Sequence, residues 1–395
     1  MTPTRRRRIS PSTLALVALL ALSIPAPTYA WITMVEGDKG KMEVEFRLMA
    51  WAMDAGPDTA LIPGLNAAPP PAQSENMNDF FVRRARVAFR GSISKSLEIG
   101  LQIGQDNLGS KVLRDDGNMR IKDALINYKK NDALQIVVGQ FKVPFLRTNL
   151  NSGFNQLLVD RSLVAALRPA IEGQRDQGGM IWGNHGGLQY RAAMFDGSDQ
   201  EDTSTQSSVR GTARVSYNWF TPEKTFGYGD KTIGERKVLQ IAGQADMQNG
   251  RTDARDDAGF TTQTRAYSNW AAEVFYDQPF GGKWAVTAEA AWLQRRDDYD
   301  TDGLATKSTD GHYGQAGLLL PWSVGPGRLQ LVGRWEEIET DRGPGSEASL
   351  RARTFGLTWF TKGHDRKIQF DHGQLVERPT DLDDNFYRLS MVAVF

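Results

Sequence analysis

From Lys41 to the end of the chain, hydrophobic and polar positions alternate with a period of two, in segments about ten residues long. This is the signature of strands with one apolar and one polar face. In KMEVEFRLM, Met42, Val44, Phe46 and Leu48 fall on one face, with Glu43, Glu45 and Arg47 on the other. Sixteen such segments are expected, starting near residues 41, 80, 97, 120, 134, 178, 188, 210, 238, 265, 284, 313, 328, 351, 366 and 385. The pattern is weakest in the sixth and twelfth, so fourteen or eighteen strands also fit it.

The connections alternate in length. Those over 52–79, 107–119, 141–177, 196–209, 249–264, 296–312, 340–350 and 378–384 are long, and those between are short, except 220–237. Long loops on one side and tight turns on the other describe an up-and-down antiparallel barrel, here all-β and transmembrane, in one domain over 31–395. Aromatics at the strand ends on the short-turn side (Trp182, Trp219, Phe220, Phe280, Trp284, Trp322, Trp359, Phe360 and Phe395) are expected to form an interfacial girdle there.

Residues 1–30 differ in kind. Arg5 to Arg8 precede an apolar run from Leu14 to Ile24 and a small-residue end at Ala30, the layout of a cleaved secretory signal peptide. That run is too short to span a bilayer as a helix. Removing its four Arg takes the formal charge from 0 to −4, so no basic field remains to attract nucleic acid. With no Cys, a disulfide scaffold, Cys-ligated zinc and a thiol nucleophile are all excluded. A mean hydropathy of −0.45 rules against a helical membrane protein but suits a barrel, in which only alternate residues meet lipid.

The chain ends FYRLSMVAVF, with Tyr387, Leu389, Met391, Ala393 and Phe395 on one face of the last strand. A terminal aromatic with alternating apolar residues looks like the signal read by the outer-membrane barrel assembly machinery. An outer-membrane location in a Gram-negative cell follows, with lipid and lipopolysaccharide as surroundings.

Three stretches resemble the phosphate-selective porin O and P family: RRARVAFRG at 83–91, DALINYKK with LQIVVGQFKVPF over 123–145, and LLVDRSLV at 157–164. The resemblance implies a homotrimeric porin, commonly of sixteen strands, whose third long loop, here about Lys142 to Gln177, folds inward to narrow the pore. The loop's own composition agrees, because it mixes the apolar residues Phe145, Phe154, Leu157 and Leu158 with charges. Phosphate-specific members look to use several lysines in the constriction; this loop offers one, Lys142, together with Arg147, Arg161 and Arg168. On the second strand Arg84, Arg86 and Arg90 share the face expected to line the lumen. A column of forked donors would hand small anions along a channel. The same arginines could instead brace the barrel against acids such as Asp123, Asp160 and Glu172.

Passive passage of small hydrophilic solutes, with anions preferred, is the expected function, and a structural or adhesive barrel plugged by its own loop is the alternative. No enzyme is expected: of four His, three lie in predicted turns or loops, and His372 and Asp371, adjacent on a strand, point to opposite faces. No cofactor or metal site is expected either. Asp298, Asp300 and Asp302 before Gly303 match only the front half of a calcium loop, with Thr309 where its closing Glu belongs.

Overall fold

The computed structural model describes residues 31–37, 40–56, 77–110, 113, 117–167, 174–197, 209–228, 233–249, 254–255, 261–262, 264–299, 307–341, 347–379 and 382–395. The strands in chain order are β1 (Ile32–Gly37), β2 (Gly40–Ala55), β3 (Met77–Ser94), β4 (Leu97–Leu108), β5 (Arg120–Asn131), β6 (Leu134–Lys142), β7 (Arg175–His185), β8 (Leu188–Phe195), β9 (Arg210–Asn218) and β10 (Val238–Asn249). They continue as β11 (Ala254–Arg255), β12 (Thr261–Thr262), β13 (Thr264–Pro279), β14 (Ala285–Tyr299), β15 (Lys307–Val324), β16 (Gly327–Asp341), β17 (Ala348–Lys362), β18 (Arg366–Arg378) and β19 (Leu382–Val394).

Sixteen of these, β2 to β10 and β13 to β19, pair antiparallel with their neighbours in chain order. The ring closes where β19 meets β2, from Phe386↔Ala55 to Val394↔Arg47. The terminal residue completes the seam: Phe46 N donates to Phe395 O at 3.0 Å and Phe395 N to Phe46 O at 2.9 Å. Closure leaves no strand edge unpaired around the ring, the condition a sheet must meet in lipid. Every expected strand is present; most run further than the alternation showed, so the outer loops are shorter than expected. Two elements were not foreseen. β1 pairs with the first residues of β2, Ile32↔Val44 to Gly37↔Gly40, and β11 with β12 forms a small hairpin in the outer loop after β10.

The short turns use glycine where the backbone must enter the left-handed region, as at Gly186 (φ 59°) and Gly325 (φ 57°). The exception in length holds: between β9 and β10 the connection on the short-turn side runs from 219 to 237.

Outward-facing residues are large and apolar, including Phe80, Met194, Trp270, Phe355 and Tyr387, all exposed. An apolar surface on this scale needs lipid around it. No helix among the described residues is long and apolar enough to cross a membrane; strands do the crossing. The face of β19 carrying Tyr387, Leu389, Met391, Ala393 and Phe395 points outward, while Phe386, Arg388, Ser390 and Val392 are buried.

The girdle needs two corrections. Trp219, Phe220, Phe280 and Trp322 are exposed at the expected level, but Trp182 and Phe360 are buried. Parity decides this: Trp182 shares its face with buried Met180 and Asn184, Phe360 with buried Thr358. The inner face is also less uniformly polar than a wet lumen requires. Met49, Trp51 and Met53 of β2 point inward and pack with Phe81, Phe154 and Val159.

Candidate constriction and ion pathway

After Lys142 the chain cannot continue the ladder, because Pro144 has no N–H to offer. It turns inward at Leu146, whose φ of 59° is unusual for a branched residue, and residues 143–167 fold into the barrel. The Leu146 N–H donates to Gln244 Oε1 of β10 at 2.9 Å, and the Arg147 N–H to Glu273 Oε2 of β13 at 2.7 Å. The loop then reaches other strands. Val159 N donates to Asp371 Oδ2 of β18 at 3.1 Å, and Leu163 N to Glu336 Oε2 of β16 at 2.6 Å, with Ser162 Oγ donating to the same oxygen at 2.7 Å. Lys367 Nζ and Gln369 Nε2 donate to Gln156 O at 2.9 and 3.2 Å.

Apolar anchors complete the docking. Phe145, Leu146, Val159 and Val164 are wholly buried. The wall provides space in the form of glycine: a Cβ on Gly311 would lie 2.9 Å from Val164 Cγ1, and one on Gly356 2.6 Å from Leu158 Cδ2. This explains the inward-facing Met49, Trp51 and Met53, which pack against the loop instead of facing water.

The expected pathway residues are dispersed by the fold. Arg84 reaches Asp160 of the loop, Nη2 to Oδ1 3.5 Å, and Met49 Sδ at 3.3 Å. Arg86 pairs with Asp106 of β4. Arg90 is exposed near the β3–β4 turn, where its Nε donates to Glu43 Oε2 at 2.6 Å and its guanidinium stacks 4.1 Å from the Trp31 ring. Lys142 Nζ donates to Leu150 O and Asn151 O at 3.1 and 2.8 Å, and Arg161 to Thr148 O and Asn151 O at 2.9 and 3.0 Å, so both cations shape the loop's own backbone. Arg147 pairs with Glu223. Arg168 and Glu172 lie outside the described residues, as do the side chain of Asp298 and all of Asp300 and Asp302.

The bracing role is plain for two of the acids. Asp123 accepts from Arg175 Nε and Nη2 at 2.8 and 2.9 Å. Asp160 lies against Arg83 and Arg84; burial pushes its carboxyl up, but those two cations outweigh burial and hold it well below the usual carboxylate range. Arg83 itself was not anticipated. Strict alternation puts it on the lipid face, but the register slips between Met49↔Arg84 and Ala50↔Val82, and this bulge turns it toward Asn107 and Asp160.

A second basic cluster lies on the inner face of β8 and β9. Arg191 and Arg214 are register partners, and Arg210 follows four residues before Arg214. Arg210 forms a two-pronged pair with Asp246, 2.7 Å at each oxygen, and Arg214 pairs with Glu273. Among the described residues no carboxylate pairs with Arg191: its Nη2 donates to Gln189 Oε1 at 3.0 Å and to Thr225 O at 3.2 Å, while Nε and Nη1 have no hydrogen-bond partner there. The alternation Arg210, Thr212, Arg214, Ser216 was the available sequence signal. The segment after β9 covers this cluster, with Glu223 and Tyr228 buried.

A closed antiparallel barrel with an apolar outer surface, a polar inner wall and one long loop folded inside is an outer-membrane channel. The chain belongs to the phosphate-selective porin O and P family, whose model matches residues 65–374. It is 23% identical over 334 residues to an uncharacterized protein of Aquifex aeolicus, covering 76% of each chain. Among solved structures it is similar to the trimer form of in-vitro folded OmpT of Vibrio cholerae (TM-score 0.58, 9% identity, 91% of this chain and 100% of that one). An anion-selective porin of Comamonas acidovorans gives a TM-score of 0.57 at 10% identity, over 90% of this chain and 100% of that one.

Proposed function

We propose that the channel passes small hydrophilic solutes by diffusion and prefers anions. One observation carries this reading. Arg191 sits on the inner wall beside Arg214, buried, hydrogen-bonded only by neutral oxygens, with two N–H groups unpartnered. A guanidinium in that state attracts an anion, because no carboxylate among the described residues pairs with it directly. The anion selectivity stated for the Comamonas relative is consistent with this. Of the cations singled out from sequence, Arg84, Arg86, Lys142, Arg147, Arg161 and Arg168 add positive charge along the route, several of them offset by acids, while Arg90 stands apart near the β3–β4 turn.

The same reading includes cleavage of residues 1–30, insertion by the barrel assembly machinery through Tyr387 to Phe395, and a homotrimer, as in the OmpT trimer form. The test is single-channel conductance and reversal potential of the detergent-purified protein in a planar bilayer under a potassium chloride gradient. Stepwise insertion with an anion-signed potential is expected, and a cation-signed potential would refute anion preference. The alternative, a structural barrel plugged by its loop, is favoured by the attachment of that loop to many strands; a folded, heat-modifiable barrel that gives no steps would establish it.

A further inference from the structure

We infer that Glu223 fills an anion site built into this channel, and that the solutes the site takes are carboxylates, which enter by displacing Glu223. The inference rests on the anion-preferring reading above and adds to it a solute class and an internal competitor.

The Arg147 guanidinium lies between two rings, 4.3 Å from the centroid of Tyr228 and 3.6 Å from that of Phe275. Held flat, it presents its fork to Glu223, with Nη2 donating to Oε1 at 2.6 Å and Nη1 to Oε2 at 2.5 Å. Gln240 Nε2 adds a donor to Oε2 at 3.4 Å. A rigid fork meeting two coplanar oxygens is the arrangement guanidinium and carboxylate favour. The site is therefore shaped for a carboxylate, and the protein places one of its own in it.

Glu273 pairs with Arg214, which leaves Arg191 hydrogen-bonded to neutral oxygens alone. The guanidinium groups of Arg191 and Arg214 each lie 5.2 Å from the centroid of the same Tyr228 ring. Among the described residues, Arg191 Nε and Nη1 and Arg214 Nε have no hydrogen-bond partner, nor does Ser216 Oγ next to Arg214 on β9. All three side chains are at least 98% buried. Nothing in the fold explains leaving these donors empty, whereas an anion arriving beside Arg147 would meet them.

The segment that delivers Glu223 is held by side chains, with no ladder among the described residues beyond its first ones: Phe226 packs against Phe141 and Trp182, and Tyr228 Oη donates to Gln189 Oε1 at 3.0 Å. The pairing with β10 extends to Thr221 N and Lys237 O at 3.1 Å. Beyond it, residues 223–225 are held to the wall by side chains that donate to their carbonyl oxygens: Gln189 to Glu223 O at 3.0 Å, Asn184 to Lys224 O at 3.3 Å and Arg191 to Thr225 O at 3.2 Å. Contacts of this kind open at low cost compared with a ladder.

The experiment measures block of chloride current by sodium acetate, then by sodium phosphate, at pH 7 in a planar bilayer, for wild type and Glu223→Ala. Loss of a tethered competitor should lower the half-blocking acetate concentration about tenfold or more, since a tethered group acts at millimolar effective concentration or above. Adding Arg147→Lys to Glu223→Ala should reverse the gain. Equal acetate block in wild type and Glu223→Ala would overturn the inference, and block of Glu223→Ala by phosphate as strong as by acetate would overturn the carboxylate assignment. If Glu223→Ala fails to fold, as read by heat-modifiability, the isosteric Glu223→Gln carries the same comparison. Reversal potential separates the two readings: anion-signed current with no gain in block refutes this inference alone, and a cation-signed potential refutes the anion preference beneath it.

Discussion

Arg388 grips Asp371 with two prongs, Nε to Oδ1 at 2.8 Å and Nη2 to Oδ2 at 2.8 Å, and the second oxygen also accepts the Val159 N–H of the constriction loop at 3.1 Å. One carboxylate thereby ties β18, β19 and the loop together next to the closing seam. Removing it would leave Arg388 buried and unpaired, a loss on the order of 3–5 kcal/mol. Asp371→Ala is therefore expected to lower the temperature at which the folded band converts to the unfolded one in gel electrophoresis, whereas a surface control such as Asp383→Ala, on exposed ground, should not.

The Asp160 anchor should survive acid. Its carboxyl is depressed, so its contribution is fully present above the ordinary carboxylate range and is lost only as pH falls through the lower folded value. The stability difference between wild type and Asp160→Asn should stay constant from neutral pH to about pH 4, the unperturbed aspartate value, and shrink in stronger acid. A difference that vanished by pH 5 would contradict this.

Gly311 and Gly356 leave the hollows that receive Val164 and Leu158. Gly311→Val should push the loop off the wall at a cost of about 1–3 kcal/mol, the usual penalty for overfilling a packed site. A displaced loop should also change single-channel conductance; a folded variant with wild-type conductance would place the narrowest point elsewhere.

Arg90 offers a contrast within the expected arginine column. It is exposed, and its bond to Glu43 and stacking on Trp31 lie near a turn. Arg90→Ala should cost less than about 1 kcal/mol, as for other exposed ion pairs, and should leave the reversal potential unchanged. Arg191→Ala, in contrast, should move it toward cations.

The barrel was legible in sequence because its physics is local. Alternation along FYRLSMVAVF sorts lipid-facing from inward residues without knowledge of the neighbours, and loop parity gives the direction of the chain. What depended on distant partners was not legible. Arg83 escaped because a bulge opposite Met49 and Ala50 reversed its face. Trp182 was misread because its position at a strand end was weighed above its parity. The long turn after β9 was visible as an irregularity, but nothing in its composition showed that Glu223 would meet Arg147, 76 positions away in the chain. The column expected on β3 contains charges that are largely spent on bracing, while Arg191 and Arg214, on two strands whose pattern was equally plain, keep donors open among the described residues.

A ring of hydrogen-bonded strands behaves like a hoop: it resists stretching but is easily flattened. The loop across its interior is fixed at Gln244 and Glu273 on one part of the hoop and at Glu336 and Asp371 on another, and so works as a strut between them. Lateral pressure from the bilayer is then borne by the loop as well as by the wall, and the bore keeps its shape under load.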